Sequence, residues 1–289
     1  MSHRIHDDNE AAFHRDGFVA VDKFASDKEI SRIKTILLDL HENNAGFREG
    51  AQFDAAAPVE GDPKSRRFPQ ILHPHVFAKE LASTEYFKAG LEIARQLLGP
   101  SARFQTDISF LKPPKIGSDT PWHQDQAFSN PAYENEQITI WLAVTPASAT
   151  NSCMSFIPKS HSLPVLKHRP IGGDPRVHAL ECVDDFDRSG AIECPLPAGG
   201  MTIHGHRTLH YAGPNRSDEA RLAYALLFDT PYKPRAGALD FSWNKEQLTD
   251  RQLREQNWRR RGGILSHMWR QRHRLQPVQL MTKLRWPKA

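Results

Sequence analysis

The sequence contains few cysteines and no long apolar segment, and these two absences exclude several classes of protein. Its three cysteines (Cys153, Cys182 and Cys194) are odd in number, and no two have the Cys-x-x-Cys spacing of a zinc or redox site. No apolar run approaches the roughly 20 residues that span a bilayer. The first residues are polar and partly acidic, unlike a signal or transit peptide. We therefore expect reduced thiols, a cytoplasmic location and no membrane span.

What is present is the composition of a globular protein with an uneven distribution of charge. The chain has 289 residues, of which 39% are hydrophobic and 25% charged, enough to bury a sizeable core. The formal net charge is +4, but residues 251–289 carry nine arginines and two lysines against the single acid Glu255, a charge of +10. The first 250 residues therefore carry −6. Aromatic and apolar residues between these charges favour packing over nucleic-acid binding, and we expect no nucleic-acid partner.

Two helices are predicted ahead of residue 100. Ser26 and Glu29 have the spacing of a capping box, and isoleucines and leucines follow at helical spacing. This pattern predicts a helix over 27–43. A second apolar stripe predicts a helix over 84–98, with Gly99 as its stop signal.

The rest of the N-terminal part is predicted to hold one strand and one long loop. Residues 13–24 alternate in polarity after a turn at Asp16-Gly17, which predicts a short strand. Residues 44–75 lose periodicity and gain glycine, proline and charge. Loops of this length are usually functional or disordered, so we interpret this one as a lid over a site.

After residue 100, short apolar or alternating runs separated by turns predict an antiparallel β-structure. These runs are 102–111, 137–145, 153–157, 200–204 and 221–229. The expected fold class is mainly β with flanking helices (α+β), built on a double-stranded β-helix, that is, a cupin-like jelly roll. We expect one domain over 1–289, with a helical part and lid in 1–100, the jelly-roll core in 101–230 and a basic C-terminal extension in 231–289.

One short pattern has the chemistry of a metal site. In an extended segment, His123 and Asp125 would point to the same face while Gln124 points to the other. A His-x-Asp pair supplies two of the three ligands of the 2-His-1-carboxylate facial triad, which binds non-haem Fe(II) and leaves positions open for substrate and O2.

Candidates for the third ligand lie near residue 210. His204, His206 and His210 fall within seven residues, and Arg221 opens an apolar strand shortly behind them. His204 and His206 would share a face if extended and could form a metal site of their own. Each of these histidines could equally be a surface residue or one that supports a ligand, so the residues alone leave the choice open.

Four blocks in order make the chain resemble the phytanoyl-CoA dioxygenase family of Fe(II)- and 2-oxoglutarate-dependent oxygenases, which includes ectoine hydroxylase. The blocks are Asp16-Gly-Phe-Val-Ala-Val, His123-Gln-Asp125-Gln, Pro158-Lys-Ser-His161 and His210-x-x-Gly-Pro-Asn215 followed by an arginine. They span about three quarters of the chain. The resemblance implies that His123, Asp125 and His210 are the iron ligands. His204 and His206 then become supporting or loop residues.

The resemblance also implies a site for 2-oxoglutarate. Arg221, eleven residues after His210, would pair with its distal carboxylate, and Trp141 would lie beside it. Gln105 would lie on a strand lining the same cavity, and Lys112 would also reach the cosubstrate. A planar guanidinium suits this role because a buried carboxylate without a cation is costly.

One position departs from the family pattern. Many members have serine two residues after the distal histidine, where it contacts the cosubstrate, whereas this chain has Ala212. The missing hydrogen bond would come from Tyr211, Tyr224 or water, or be absent.

The implied reaction couples O2-driven decarboxylation of 2-oxoglutarate, which yields succinate and CO2, to oxidation of a substrate C–H bond. Because Asp125 occupies the carboxylate position that related halogenases leave to chloride, hydroxylation or desaturation is expected. The expected substrate is a small metabolite or natural-product intermediate, and the expected state a monomer or homodimer. Two alternatives remain: a non-catalytic or regulatory metal-binding homologue, and a cupin-like metalloenzyme that uses His204 and His206 without 2-oxoglutarate.

Overall fold

The computed structural model of the protein describes residues 4–59, 61–62 and 65–271. Its helices are α1 (Asp7–Asp16), α2 (Asp27–Glu42), α3 (Pro74–Phe77), α4 (Glu85–Leu98), α5 (Ser242–Glu246) and α6 (Asp250–Gln271). Its strands are β1 (Phe18–Val21), β2 (Gln52–Asp54), β3 (Pro69–Leu72), β4 (Arg103–Lys112), β5 (Thr120–His123), β6 (Tyr133–Glu134), β7 (Gln137–Ala143), β8 (Met154–Phe156), β9 (His168–Pro170), β10 (Leu180–Cys182), β11 (Ile192–Cys194), β12 (Met201–Gly205), β13 (His210–Ala212), β14 (Arg221–Asp229) and β15 (Lys233–Pro234).

Two facing antiparallel sheets form the core of the molecule. The larger sheet has the strand order β1-β12-β7-β14-β4-β3-β2, and the smaller has the order β11-β8-β13-β5. The order is far from sequential, because the chain crosses repeatedly between the two sheets, as in a double-stranded β-helix. The predicted jelly roll with flanking helices is confirmed.

The two faces of the central strand β14 have different roles: one packs in the hydrophobic core, and the other borders the space that holds the functional residues. Side chains alternate along a strand, so Leu222, Tyr224 and Leu226 pack with the apolar stripes of α2 and α4 on the outer face. Ala223 and Ala225 face the smaller sheet instead. Two small residues there leave room between the sheets, and the functional residues project into that space.

The predicted helices agree closely with α2 and α4, and the five predicted strand runs correspond to β4, β7, β8, β12 and β14. Ser26 accepts a hydrogen bond from the backbone N–H of Glu29, as a capping box requires. The strand predicted within 13–24 is β1. The preceding helix α1 was not predicted, because its weak apolar pattern buries only Phe13.

The prediction of one long loop over 44–75 is wrong in part. Residues 52–54 and 69–72 are β2 and β3, which extend the larger sheet from its β4 edge. Each strand is three or four residues long, too short for a periodic pattern to show. Their pairing depends on β4, which lies far along the chain.

The beginning of the basic C-terminal segment packs on this edge, as its apolar content suggested. Arg254 of α6 donates hydrogen bonds to the backbone oxygens of Phe47 and Gln52 and lies 4.0 Å from the Phe47 ring centroid. The part of the prediction that concerns 272–289 lies outside the described residues. Within the described ranges, no helix is both long and apolar enough to cross a membrane.

Candidate iron and cosubstrate site

Three ligand atoms converge where β5 and β13 pair on the smaller sheet. His123 ends β5 directly opposite His210, the first residue of β13, and their ring centroids are 4.1 Å apart. Asp125 Oδ1 lies 3.7 Å from His123 Nε2 and 3.5 Å from His210 Nε2. Among the described residues these three form the one group of His, Cys, Asp or Glu side chains that could hold a metal ion. Gln124 between the first two is extended, as the His-x-Asp pattern predicted.

Backbone carbonyls fix both histidines in the form that binds a metal. His123 Nδ1 lies 2.8 Å from the Pro121 oxygen, and His210 Nδ1 lies 2.9 Å from the Thr208 oxygen. Each Nδ1–H therefore donates to a carbonyl, which leaves the Nε2 lone pair free to face the ion. Burial lowers the pKa of both rings, which favours the neutral form that metal binding requires.

The N-terminal block of the sequence supports His210 from behind. The Gly17 oxygen accepts hydrogen bonds from the Thr208 hydroxyl (2.7 Å) and the Gly205 N–H (3.0 Å). Thr208 is the residue whose carbonyl orients His210. Gly17 has a φ of +85°, and a Cβ there would lie 2.4 Å from Nδ1 of His161, so only glycine fits. The sequence blocks that contain Gly17, His161 and His210 therefore lie next to one another in the structure.

Gln124 joins the two ligand-bearing segments. Its buried amide nitrogen donates to the backbone oxygens of Arg207 (2.8 Å) and Pro164 (3.2 Å), and its amide oxygen accepts from the Leu166 N–H (2.8 Å). Its own backbone N–H donates to His168 Nε2 (3.1 Å). The residue between the two iron-ligand candidates is therefore tied to the loop that precedes His210.

Asp125 is oriented by a third strand. The Thr139 hydroxyl of β7 donates to Asp125 Oδ2 at 2.8 Å, which leaves Oδ1 for the two histidines. Burial alone would raise the pKa of this carboxyl, but His210, His204 and His123 lie close enough to hold it well below its usual range. Asp125 is thus a carboxylate, the form that ligates a cation.

His204 and His206, the alternative pair, do not converge on one point. His204 Nε2 lies 3.4 Å from Asp125 Oδ2, beside the cluster, and neither of its ring nitrogens has a hydrogen-bonding partner in the described part of the chain. His206 faces Glu136, with its Nε2 3.8 Å from a carboxylate oxygen. The geometry favours His210 over this pair as the partner of the His-x-Asp.

Arg221 is a buried cation whose guanidinium is largely unpaired. It is 2% exposed, and one nitrogen, Nη2, donates to the Ser152 hydroxyl at 3.3 Å. Its Nε and Nη1 have no hydrogen-bonding partner within the described ranges. The guanidinium carbon lies 5.4 Å from the centroid of the Trp141 ring. Burial lowers the pKa of Arg221 to about 9, so it remains charged at pH 7. A cation held in this state fits the carboxylate of a ligand such as 2-oxoglutarate.

The two remaining predicted cosubstrate residues lie in different places. Lys112 pairs with Arg221 across β4 and β14, and its ammonium donates to the backbone oxygens of Ala212 (3.0 Å) and Gly213 (2.7 Å). Gln105 lines the cavity as predicted, but it lies near Leu227, six residues along β14 from Arg221 and about 20 Å away along the strand. Contact of either residue with the cosubstrate stays a prediction.

The structure limits which group could make the hydrogen bond that serine would make at position 212, where this chain has alanine. Tyr224 points to the outer face of the larger sheet, where its hydroxyl donates to Asp107, so it cannot supply the bond. Tyr211 lines the cavity and stacks on Trp122 at 5.4 Å. Thr120, which pairs with Ala212 across the strands, also lines the cavity and was not considered from the sequence.

Several supporting residues escaped the sequence analysis. Ser152 holds Arg221 from a turn in which its own φ is +83°, an unusual conformation that often marks a functional position. Gln124, His168 and Thr139 orient ligands through contacts with distant segments. No periodicity or spacing in the sequence indicates such contacts. Only for Ser152 does the sequence offer a local sign, the turn at Asn151-Ser152 in which it adopts its positive φ.

The metal and cosubstrate residues open onto one cavity of about 1260 Å³ between the two sheets. The predicted ligands, Trp141 and Arg221 lie on its wall. Its size exceeds what a five-carbon diacid needs, so space remains for a second molecule. The arrangement can therefore bind a metal ion, a dicarboxylate and a substrate in one cavity.

Comparison with known proteins agrees with this geometry. The profile of the phytanoyl-CoA dioxygenase (PhyH) family matches residues 13–223. The crystal structure of EvdO2 from Micromonospora carbonacea var. aurantiaca complexed with 2-oxoglutarate is 30% identical, covers 83% of this chain and 96% of its own, and superposes with a TM-score of 0.72. A probable alpha-ketoglutarate-dependent hypophosphite dioxygenase of Stutzerimonas stutzeri is 26% identical over 204 residues, 70% of each chain.

A more distant structure shares the fold. EctD from S. alaskensis, at 18% identity, has a TM-score of 0.60 and covers 78% of this chain and 77% of its own. The family profile covers well over half of the sequence, and the residues that could hold the metal and the cosubstrate lie within it. The chain belongs to the phytanoyl-CoA dioxygenase family and is an Fe(II)- and 2-oxoglutarate-dependent oxygenase.

Proposed function

We propose that the enzyme oxidises an unactivated C–H bond of a small molecule by hydroxylation or desaturation, with His123, Asp125 and His210 holding the iron and Arg221 holding the distal carboxylate of 2-oxoglutarate. The observation that carries the proposal is the unpaired buried guanidinium of Arg221, on the wall of the cavity that the three ligand atoms also face. Metal and cation together match the two ends of the cosubstrate.

Bound iron and 2-oxoglutarate supply an oxidant made from O2, with release of succinate and CO2. The chain's own residues position and protect the reactants. Arg221 pairs with the distal carboxylate, and Trp141 covers the same region as an apolar wall. Lys112 also supports the site, because its hydrogen bonds to Ala212 and Gly213 hold the turn that follows His210. Asp125 fills the carboxylate position of the triad, which supports hydroxylation or desaturation over halogenation.

A small-molecule substrate is supported by the size of the cavity and by the relative whose name gives hypophosphite as its substrate. We place the enzyme in the cytoplasm because its three cysteines are free thiols, two of them buried. We propose a monomer or homodimer.

The proposal is tested by anaerobic titration of the apo-protein with Fe(II) and then 2-oxoglutarate, while the visible metal-to-ligand charge-transfer band is recorded. We expect the band in the wild type and in His204→Ala, and we expect its loss in His210→Ala. In Arg221→Ala the band should require far more 2-oxoglutarate.

The same variants distinguish the cupin-like alternative. That alternative predicts loss of iron from His204→Ala and His206→Ala, with His210→Ala unaffected. Iron bound without any band in the wild type would refute the assignment of 2-oxoglutarate to this site. A band without oxidation of any substrate would be the result for a non-catalytic homologue.

A further inference from the structure

The far wall of the cavity is built by residues outside the family-matched part of the chain. The match ends at residue 223. Beyond it, Tyr232, Asn244, Gln247 and Gln252 all line the cavity. The first three come from the segment that joins β14 to α6, and Gln252 lies in the first turn of α6, so this wall belongs to the part of the chain that the family profile does not describe. Groups that select the substrate of this enzyme are expected there.

Every charged side chain that lines the cavity, within the described ranges, already has a partner or a role in the proposed site. These side chains are Arg103, Asp125, Arg221 and Asp229. Asp125 and Arg221 belong to the iron and cosubstrate sites. Arg103 and Asp229 neutralise each other, with the arginine Nε 2.7 Å from the aspartate Oδ1. An anionic or cationic substrate would lose its hydration without gaining a partner, which is costly.

His178 adds no charge either. It lines the cavity beside Phe128, with ring centroids 5.9 Å apart. Burial, together with the nearby Arg251, lowers the pKa of His178 to about 3. The imidazole is therefore neutral at physiological pH.

The polar groups of the wall are neutral amides with half of their hydrogen-bonding capacity already used. The Gln247 amide nitrogen donates to the backbone oxygens of Val177 and His178, and its oxygen has no partner in the described part of the chain. Gln252 shows the reverse arrangement, with its oxygen accepting from the Thr249 N–H (2.8 Å) and hydroxyl (3.2 Å), and its nitrogen without a partner in the described part of the chain. The wall thus offers separate donors and acceptors, and a hydroxyl group can meet either kind because it both donates and accepts.

Aromatic rings line the cavity in two places, one near Lys112 and one near Gln105. Phe68 and Phe110 stack at a centroid distance of 6.0 Å, and Tyr133 and Tyr232 meet at 6.2 Å. All four line the cavity, and Tyr232 also accepts a hydrogen bond from the Gln105 amide at 3.2 Å. Aromatic side chains present broad apolar faces with a polar tip in tyrosine. Such faces pack against the flat C–H side of a ring.

We infer that the substrate is a neutral, multiply hydroxylated ring compound whose hydroxyl groups are bound by the wall amides of Asn244, Gln247 and Gln252. This inference rests on the proposed function, since it assumes that Arg221 and Asp125 are occupied by cosubstrate and iron. A neutral substrate would distinguish this enzyme from one that takes an acyl-CoA ester or an amino acid, because the charges of those compounds would find no partner in this wall.

The test compares ligands that differ at one carbon atom, which carries a neutral hydroxyl group in the glycosides and is a charged carboxylate in the uronic acids. Anaerobic protein loaded with Fe(II) and 2-oxoglutarate is dialysed to equilibrium against 4-nitrophenyl β-D-glucopyranoside, 4-nitrophenyl β-D-galactopyranoside and their uronic-acid counterparts. The charge-transfer band is recorded first, so that failure of the cofactor assignment is seen separately. Gln247→Leu and Gln252→Leu test two amides of the wall, and Asn43→Ala removes an exposed amide just after α2 as a control.

We expect the neutral glycosides to bind at least ten times more tightly than the uronic acids. Their affinity should fall about tenfold in those wall variants that retain the band and stay unchanged in Asn43→Ala. Equal or tighter binding of the uronic acids would overturn the inference. So would a protein that shows the band but binds neither class, or wall variants that keep the band and bind the glycosides like the wild type.

Discussion

Replacement of Arg221 by methionine should stabilise the cosubstrate-free protein while it abolishes cosubstrate binding. The guanidinium is 2% exposed, and burial lowers its pKa from 12.5 to about 9. Each pKa unit corresponds to about 1.4 kcal/mol, so keeping this charge costs the fold about 5 kcal/mol at pH 7. For a base with a depressed folded-state pKa, the cost is fully present below pH 9 and disappears as the pH rises towards 12.5.

Part of this cost is offset by contacts that the variant would lose. The hydrogen bond to Ser152 contributes about 1 kcal/mol and the contact with Trp141 about 1 to 2 kcal/mol. Methionine keeps the apolar stem that packs in the core. We therefore expect Arg221→Met to raise the free energy of unfolding by about 1 to 3 kcal/mol in the absence of cosubstrate.

Urea unfolding of the apo-protein, followed by tryptophan fluorescence, measures this change. Exposed Arg95 on α4 supplies the matched control, and Arg95→Met should lie within about 0.5 kcal/mol of the wild type. Loss of a buried charged partner costs about 2 to 5 kcal/mol, so the dissociation constant of 2-oxoglutarate should rise at least about 30-fold in Arg221→Met. A variant that is less stable by more than about 2 kcal/mol and still binds 2-oxoglutarate normally would refute the reasoning.

Three further predictions follow from the supports of the site. Gln124→Ala should lower the affinity for Fe(II) about 10- to 100-fold in an anaerobic titration, because the segments holding the ligands lose their tie; unchanged affinity would argue against that tie. Gly17→Ala should cost more unfolding free energy than Gly99→Ala in urea, since both have a positive φ but a Cβ clashes with His161 only at Gly17; equal costs would contradict the close approach. Burial lowers the pKa of four histidines to about 3 or 4, so each should remove about 2 kcal/mol of stability between pH 7 and pH 5, as the unfolded chain takes up protons first. They are His41, His168, His178 and His206. Urea midpoints that stay constant over this range would contradict their neutral burial.

The parts of this molecule that the sequence predicts are those with local patterns. Helices α2 and α4 have continuous apolar stripes and recognisable ends, and β14 is a long apolar strand. The His-x-Asp spacing needs only one extended residue between its members. The pairing of His123 with His210 is of another kind, because it depends on β5 and β13 meeting across the smaller sheet. It could be expected only through resemblance to a family.

What the sequence could not predict depends on contacts between distant segments. The edge strands β2 and β3 exist because β4 offers them hydrogen bonds. Gln124 reaches residues 40 to 83 positions away, and Ser152 reaches Arg221 over 69. Tyr224 looked suitable to replace a missing serine, but the alternation of β14 turns it to the opposite face. These contacts set the geometry of the site without any local pattern.

The most direct test of the central claim uses oxygen isotopes. Protein reconstituted with Fe(II) is incubated with 2-oxoglutarate under 18O2, and the succinate that forms is analysed by mass spectrometry. If His123, Asp125 and His210 hold the iron of a 2-oxoglutarate oxygenase, the wild type yields succinate with one 18O atom in its new carboxylate, and His210→Ala yields none. Absence of labelled succinate from the wild type, or equal amounts from both proteins, would contradict the account.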